Sequence, residues 1–502
     1  MSDRPPSSSP APADRSPDRP SPAPADPSPA APAPAGDRSD RPSPGGGRPP
    51  ALRRGLKVLG TLLITLSAIS PASSVFIIAP GVVGQAGSGA LWSFLVAAVV
   101  GVFMAFVYAE LASAYPLSGG EYAIVARTLG KLPGFVTLGL LMVTQLLIIA
   151  VIALGVGTYL EVLFPGLSGP VVAAVATAGA TVLAVFDVQL NAWITGVFLA
   201  IEMVALVVVS ALGLVDPARS LGDLLANPVA ASGGVVGPAS AGLVAGAAAV
   251  AIFAYNGYGS AVYFGEETSD AHRGIARAIL WALGITVASE LIPVTAVLVG
   301  APSLEGLFGA ENMMSHFVTA RAGSTVNAVI SLAVALAILN AVLAIILITS
   351  RMVFSTGRDA AWPGAISRGL AAIHPRTGTP WVATLATGAF ATALCFADKD
   401  FLLVVTATSI VAVYVALCLA ALNGRRNRTT AHAAYRMPWF PVAPVLALAA
   451  LAFVVWQNAL DPAVGRPSLA ITAGIAVVAA LYYLLVVRRR GAWDLKGPED
   501  EG

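Results

Sequence analysis

The sequence predicts an all-α polytopic membrane protein with twelve transmembrane helices. Three observations carry the prediction. AVILMFWYC residues make up 57% of the 502 positions and DEKR residues only 11%, less than half the roughly 25% charge of a soluble domain. The apolar residues gather into runs of about 20, the length that crosses a bilayer as a helix. The charges lie between those runs. The same balance excludes soluble enzymes, and a net charge of +2 without a basic face excludes nucleic acid as a partner.

Residues 1–50 hold six Arg, six Asp and sixteen of the 36 prolines. Such a stretch has almost nothing to bury against its ordering entropy and reads as a disordered Pro/Ala/Ser-rich tail. It has no apolar core followed by a small-residue cleavage site, so it is not a secretory signal. The membrane domain is expected over 51–490, with a short tail at 491–502.

The expected helix cores are 58–80, 90–112, 134–160, 169–186, 191–214, 241–264, 276–299, 325–350, 380–397, 401–422, 441–460 and 467–487. An even number places both termini on one side, and the loop charges choose the side. Counting from an inside tail, inside loops carry nineteen Lys and Arg, among them Arg127, Lys131, Arg351, Arg425 and Arg488, whereas outside loops carry only Arg219, Arg321, Lys399 and Arg466. Both termini are therefore expected in the cytoplasm, with the cell membrane and its lipid as surroundings.

Two of the spans are interrupted. Span 1 reads Ser67-Ala-Ile-Ser-Pro-Ala-Ser-Ser-Val-Phe76, with Pro71 and small residues near its middle. Proline removes a backbone donor and clashes with the preceding turn. In hydrocarbon the freed groups are tolerable only in a cavity or buried in protein. Span 6 reads Phe253-Ala-Tyr-Asn-Gly-Tyr-Gly-Ser260, placing Asn256, Gly257 and Gly259 at mid-depth. Paired interruptions in corresponding spans point to a transporter's binding site. The free amides of a half-helix beginning near Ser73, Ser74, Val75 and Phe76 carry the positive end of the helix dipole and suit a carboxylate. Carbonyls released at Pro71, Ala72, Phe253, Ala254 and Asn256 suit an ammonium. An anion pocket beside a cation pocket describes an amino acid's backbone.

At this point the residues resemble the amino acid–polyamine–organocation permeases, over nearly all of 55–487. Tyr115-Pro-Leu-Ser-Gly-Gly-Glu-Tyr122 is similar to that family's motif after span 2. Phe264-Gly-Glu-Glu-Thr268 is similar to its Glu-Glu motif after span 6. Ser350-Arg-Met-Val-Phe-Ser-Thr-Gly-Arg-Asp359, with Pro363 and His374-Pro-Arg-Thr-Gly-Thr-Pro380, resembles its loop after span 8. This chain departs from the family at Asp270-Ala-His-Arg-Gly-Ile-Ala-Arg277, where a proline and basic stretch is common, and at Ala72-Ser73-Ser74, where a glycine-rich turn is common.

The resemblance implies a LeuT-type fold: spans 1–5 and 6–10 as a 5+5 inverted repeat, helices 1 and 6 discontinuous, and two extra helices. It implies a bound amino acid between helices 1 and 6. Ala72, Ser73, Ser74 and Val75 correspond to the carboxylate turn, Phe253 to an aromatic gate, and Ala254, Asn256 and Gly257 to the unwound stretch around the ammonium. Ile69, Thr144, Ile148 and Val151 are expected to line the side-chain pocket.

Acids inside the bilayer are functional candidates because a charge there costs about 2.5–3.5 kcal/mol on insertion scales. Glu202, in mid-span 5, aligns with a lysine of several proton-coupled relatives and is a candidate proton carrier or a packing carboxyl. Glu290, three residues before Pro293, is the second. Glu110, Glu161 and Glu266 lie near span ends and read as interfacial. Thr349 and Ser350 offer hydroxyls to sodium, but Arg351 beside them argues against it. Gln145, Asn191 and Asn340 read as packing amides and Asn256 as a substrate contact. His272, His316, His374 and His432 read as loop residues. Cys395 and Cys418 lie in apolar runs. No metal or cofactor is implied.

The favoured function is a secondary transporter moving an amino acid by alternating access, driven by protons or by exchange. The rivals are a polyamine or other organic amine carrier, such as one for ethanolamine, and a transport-inactive nutrient sensor signalling through its 50-residue tail or the loop between spans 10 and 11. No HExxH, GxSxG or P-loop pattern speaks for an enzyme.

Overall fold

The computed structural model describes residue 52 and residues 55–161, 164, 166–232 and 235–496. The expected tail over 1–50 and the last residues of the C-terminal tail, 497–502, lie outside them. The described residues form an almost wholly helical bundle. Helix α1 is Val58–Ile69; a second helical run, α2, covers 71–86 and includes a π turn at Ser74–Ile78. There follow α3 (Ala90–Ala114), α4 (Glu121–Leu129), α5 (Lys131–Glu161), α6 (Gly169–Ala184), α7 (Val188–Leu214) and α8 (Ala241–Ala254), then a 3₁₀ turn at Tyr258–Phe264. The remaining long helices are α9 (Ala271–Gly300), α10 (Met313–Arg358), α11 (Trp381–Leu394), α12 (Lys399–Arg426), α13 (Val442–Leu460) and α14 (Gly465–Tyr482).

Among the described residues nine segments are long and apolar enough to cross a membrane. The first, Val58–Ala114, contains α1 to α3. Helices α6 and α11 are apolar but shorter, at 16 and 14 residues. The chain is a multi-pass membrane protein. Its outer helix faces show why: Trp193, Val175 and Val478 are about two-thirds or more exposed, a distribution that water disfavours and lipid accepts.

Several elements differ from expectation. A two-stranded antiparallel hairpin, β1 (Val229–Ser232) with β2 (Val235–Pro238), pairs Val229 with Pro238 and Ser232 with Val235. Helix α10 begins twelve residues before the expected core at 325 and carries one non-helical residue, Gly323. His272 and His316 lie in the first turns of α9 and α10 instead of in loops. Residues 491–496 pack onto the Arg-rich end of the bundle: Asp494 N donates to Asp359 O (3.1 Å), Arg358 to Lys496 O (2.8 Å) and Arg127 to Leu495 O (2.9 Å), and Trp493 is buried.

Candidate functional site

Helix α1 stops at Ile69 because Ser70 takes a left-handed conformation, φ +49°, and Pro71 follows. Proline has no N–H to continue the ladder, yet its fixed φ suits the first position of a new helix. The chain therefore restarts as α2 immediately. A left-handed serine costs on the order of 1–3 kcal/mol, and its surroundings hold it: Ser70 N donates to Leu66 O (2.9 Å), and its hydroxyl lies 2.7 Å from Ser73 Oγ and 3.0 Å from Glu202 Oε1.

The second break follows Ala254. Gly257 sits at φ +119°, a conformation open to glycine and strained for other residues. A Cβ at 257 would lie 2.8 Å from Ile69 Cγ1, so the absent side chain lets the two breaks touch. Ser74 Oγ donates to Ala254 O across them at 3.0 Å. The carbonyl of Phe76, in the π turn, accepts the Tyr159 hydroxyl (2.8 Å). Asn256 Oδ1 accepts the Tyr414 hydroxyl.

A cavity of about 100 Å³ lies between the breaks. Of the residues expected in a binding site, Ile69, Ser74, Ile148, Phe253, Ala254, Asn256 and Gly257 line it; Ala72, Ser73, Val75, Thr144 and Val151 do not. On α5 the lining face is Leu141, Gln145, Ile148 and Ile152, a 4-3-4 spacing that turns Thr144 and Val151 onto neighbouring faces. Thr144 is buried with its hydroxyl unpartnered. Val75 is fully buried in the apolar cluster around Phe76.

The half-helix amide expected to receive a carboxylate already has one. Ala72 N donates to Glu202 Oε1 at 2.6 Å, and Glu202 is fully buried in α7. The Ser73 hydroxyl is turned to Ser70. The freed carbonyls are also partly used: Pro71 O accepts from Ser74 N and Phe253 O from Asn256 N. Glu290, in α9, is buried with neither carboxyl oxygen hydrogen-bonded, and lies within electrostatic reach of Ser74 and Glu202.

Sequence reasoning missed the residues at the Arg-rich end of the cavity. Tyr108 and Glu121 line it there. Glu121 was visible inside the Gly-Gly-Glu-Tyr motif, but its aim was not. Of the acids expected to be interfacial, Glu110 and Glu266 are buried ion-pair partners, and the side chain of Glu161 lies outside the described residues. Glu110 takes Arg425 through two 2.6 Å bonds, and Glu266 pairs with Arg358 at 2.5 Å. Glu267 and Arg351, both fully buried, are joined by bonds of 2.8 and 3.0 Å. The Arg351 charge that argued against sodium is thus neutralised by Glu267, and the guanidinium also donates to Ser350 Oγ (3.3 Å).

Asp359, just past α10, accepts the Tyr122 hydroxyl (2.8 Å) and Lys496 N (3.2 Å). Burial pushes its carboxyl from 3.8 up to about 6, against the pull of Arg358 beside it.

A multi-pass helical bundle with two helices broken side by side around a small internal cavity defines a membrane transporter. Residues 56–486 match the family described as amino acid permease, and the chain belongs to that family, within the amino acid–polyamine–organocation superfamily. An uncharacterized transporter of Mycobacterium tuberculosis is 34% identical over 351 residues, 69% of this chain and 74% of its own. A branched-chain amino acid permease of Bacillus subtilis is 26% identical over 428 residues, 81% of this chain and 88% of its own. A methylthioribose transporter of the same bacterium is 24% identical over 419 residues, 79% and 86% of the two chains.

Proposed function

We propose that the protein carries a neutral aliphatic amino acid across the cytoplasmic membrane by alternating access, with protons or exchange supplying the drive. The observation that carries this reading is the meeting of the two breaks, Gly257 against Ile69, beside a cavity whose wall is rich in isoleucine, with Ile69, Ile78, Ile148, Ile152, Ile345, Ile348 and Ile410 on it. Such a wall recognises a branched apolar body, and one relative is named a branched-chain amino acid permease. In this reading α1 with α2 is the first span and α8 with its 3₁₀ turn the sixth. They are the discontinuous members of a 5+5 inverted repeat in a twelve-span protein with both termini in the cytoplasm. Glu202 and Glu290 are its candidate proton carriers, and Phe253 its gate.

Counterflow tests the reading. Proteoliposomes loaded with mixed unlabelled amino acids should take up labelled leucine, isoleucine or valine faster than protein-free vesicles. Equal rates for all three would contradict it.

One observation favours a second reading, an organic amine carrier. The Ala72 amide that would hold a substrate carboxylate is already bonded to Glu202, and among the described residues no Lys or Arg lines the cavity. Uptake of isoamylamine without uptake of leucine would decide for it.

A further inference from the structure

We propose that Glu121, with the hydroxyls of Tyr108 and Tyr263 beside it, forms a binding site for a protonated primary amine at the cytoplasmic end of the cavity. The inference rests on reading that cavity as the substrate site, and it adds a cation site separate from the carbonyls at the helix breaks.

Five buried acids cluster at this end of the bundle, and four have arginine partners: Glu110 with Arg425, Glu266 and Asp359 with Arg358, and Glu267 with Arg351. Glu121 has none. It is 5% exposed and lines the cavity. Its Oε1 accepts a hydrogen bond from the Tyr108 hydroxyl at 3.1 Å; its Oε2 makes no well-formed bond, and the Tyr263 hydroxyl, near enough to interact with the carboxyl, makes none either. A buried carboxyl oxygen without a well-formed hydrogen bond costs roughly 1–3 kcal/mol, so a donor that reaches it through the cavity is stabilised. Among the described residues Glu121 is the one side chain on the cavity wall that can carry a full negative charge, and no wall residue carries a positive one. An ammonium, with three donors and an apolar tail toward the isoleucines, fits that arrangement.

The site is also held in place. Tyr108 packs edge-on against Tyr258 (6.0 Å, 83°) and Tyr414 (5.7 Å, 82°). A Cβ at Gly259 would stand 2.5 Å from the Tyr108 ring, so glycine there is what admits the ring. Gly120, at φ +60°, turns the chain so that Glu121 opens α4.

Burial raises the Glu121 pKa, partly opposed by the Tyr263 and Tyr108 hydroxyls. The titratable groups that face it from other elements are phenols: Tyr108 of α3, Tyr263 of the 3₁₀ turn and Tyr414 of α12. An arriving ammonium favours the ionised carboxylate, so amine binding lowers the pH at which Glu121 gives up its proton.

The experiment is calorimetric binding of isoamylamine, L-leucine and 4-methylpentanoate to the full-length protein in detergent, in two buffers of different ionisation heat. Wild type should bind the amine, releasing a proton at pH values where Glu121 is still protonated. Glu121→Gln, which keeps an acceptor at the start of α4, should bind it about tenfold more weakly without proton release. Ile148→Trp, which fills the cavity, should abolish amine binding altogether. A folded Glu121→Gln variant with wild-type amine affinity and proton release overturns the inference while leaving the cavity reading intact. Undiminished binding in Ile148→Trp, or no binding of any of the three compounds to folded wild type, overturns both. Should Glu121→Gln fail to fold, Glu121→Asp takes its place: a folded Glu121→Asp variant with wild-type amine affinity overturns the inference.

Discussion

Glu202 Oε1 lies 2.6 Å from the backbone nitrogen of Ala72, the first free amide after the break in span 1. A fully buried carboxyl thus caps the half-helix from a neighbouring span, where the dipole end and the Ser70 hydroxyl at 3.0 Å compensate part of its burial. On the function proposed above, a substrate carboxylate and Glu202 compete for one amide, and protonation of Glu202, by weakening its hold there, is the proposed link between proton and anion.

Glu202→Gln keeps an acceptor for Ala72 but no charge. We expect proton-driven accumulation to be lost while exchange persists, with a stability loss of about 1–3 kcal/mol. Accumulation that still follows an imposed pH gradient in the variant would remove Glu202 from coupling.

Gly257→Ala adds a methyl 2.8 Å from Ile69 Cγ1 and strains a φ of +119°. Both effects push the breaks apart, so uptake should fall at least tenfold. Combining it with Ile69→Ala should restore only the part due to the clash. Full recovery in initial-rate measurements would show that the backbone conformation at 257 is unimportant.

Phe253 lines the cavity and is half-buried. Phe253→Ala should speed release of bound substrate about tenfold by removing a bulky cover from it. Unaltered affinity and rate would mean Phe253 is not the gate.

Breaking the buried Glu267–Arg351 pair with Arg351→Leu leaves an uncompensated carboxylate and should cost about 3–5 kcal/mol. Adding Glu267→Leu should recover most of that in thermal unfolding of the detergent-solubilised protein, since paired apolar replacements are near neutral. A double variant no more stable than the single one would contradict a simple charge-burial account.

The Asp359 carboxyl rises from 3.8 to about 6 through burial, so the folded state holds its proton more tightly than the unfolded chain. Its contribution, roughly 3 kcal/mol for a shift of about two units, is fully present below about pH 4 and lost as pH rises through about 6. Asp359→Asn should flatten that part of the stability curve. An unchanged slope between pH 4 and 6 would rule Asp359 out.

The breaks were legible because proline and paired glycines act locally: Pro71 and Gly257 dictate their own backbone. The pocket's apolar face on α5 was legible to within one position, since helical spacing fixes a face but not its rotation toward a neighbour. Partners across the fold were not legible. Nothing local says that Glu202 reaches Ala72, 130 residues away, or that Glu110 meets Arg425, 315 residues away. Acids near span ends therefore read as solvated when packing had paired them. The hairpin at Val229–Ser232 and Val235–Pro238 was hidden in a loop of small residues with no clear alternation.

Chemical blockade of the wall tests most directly whether the cavity between the two breaks is the transport path. Native Cys395 and Cys418 are buried, so Ile148→Cys can be labelled with a membrane-permeant thiol reagent in proteoliposomes and followed by leucine and isoamylamine uptake. Labelling should stop uptake, and the transported compound, present in excess, should protect against labelling. Complete labelling with undiminished uptake would contradict that role for the cavity.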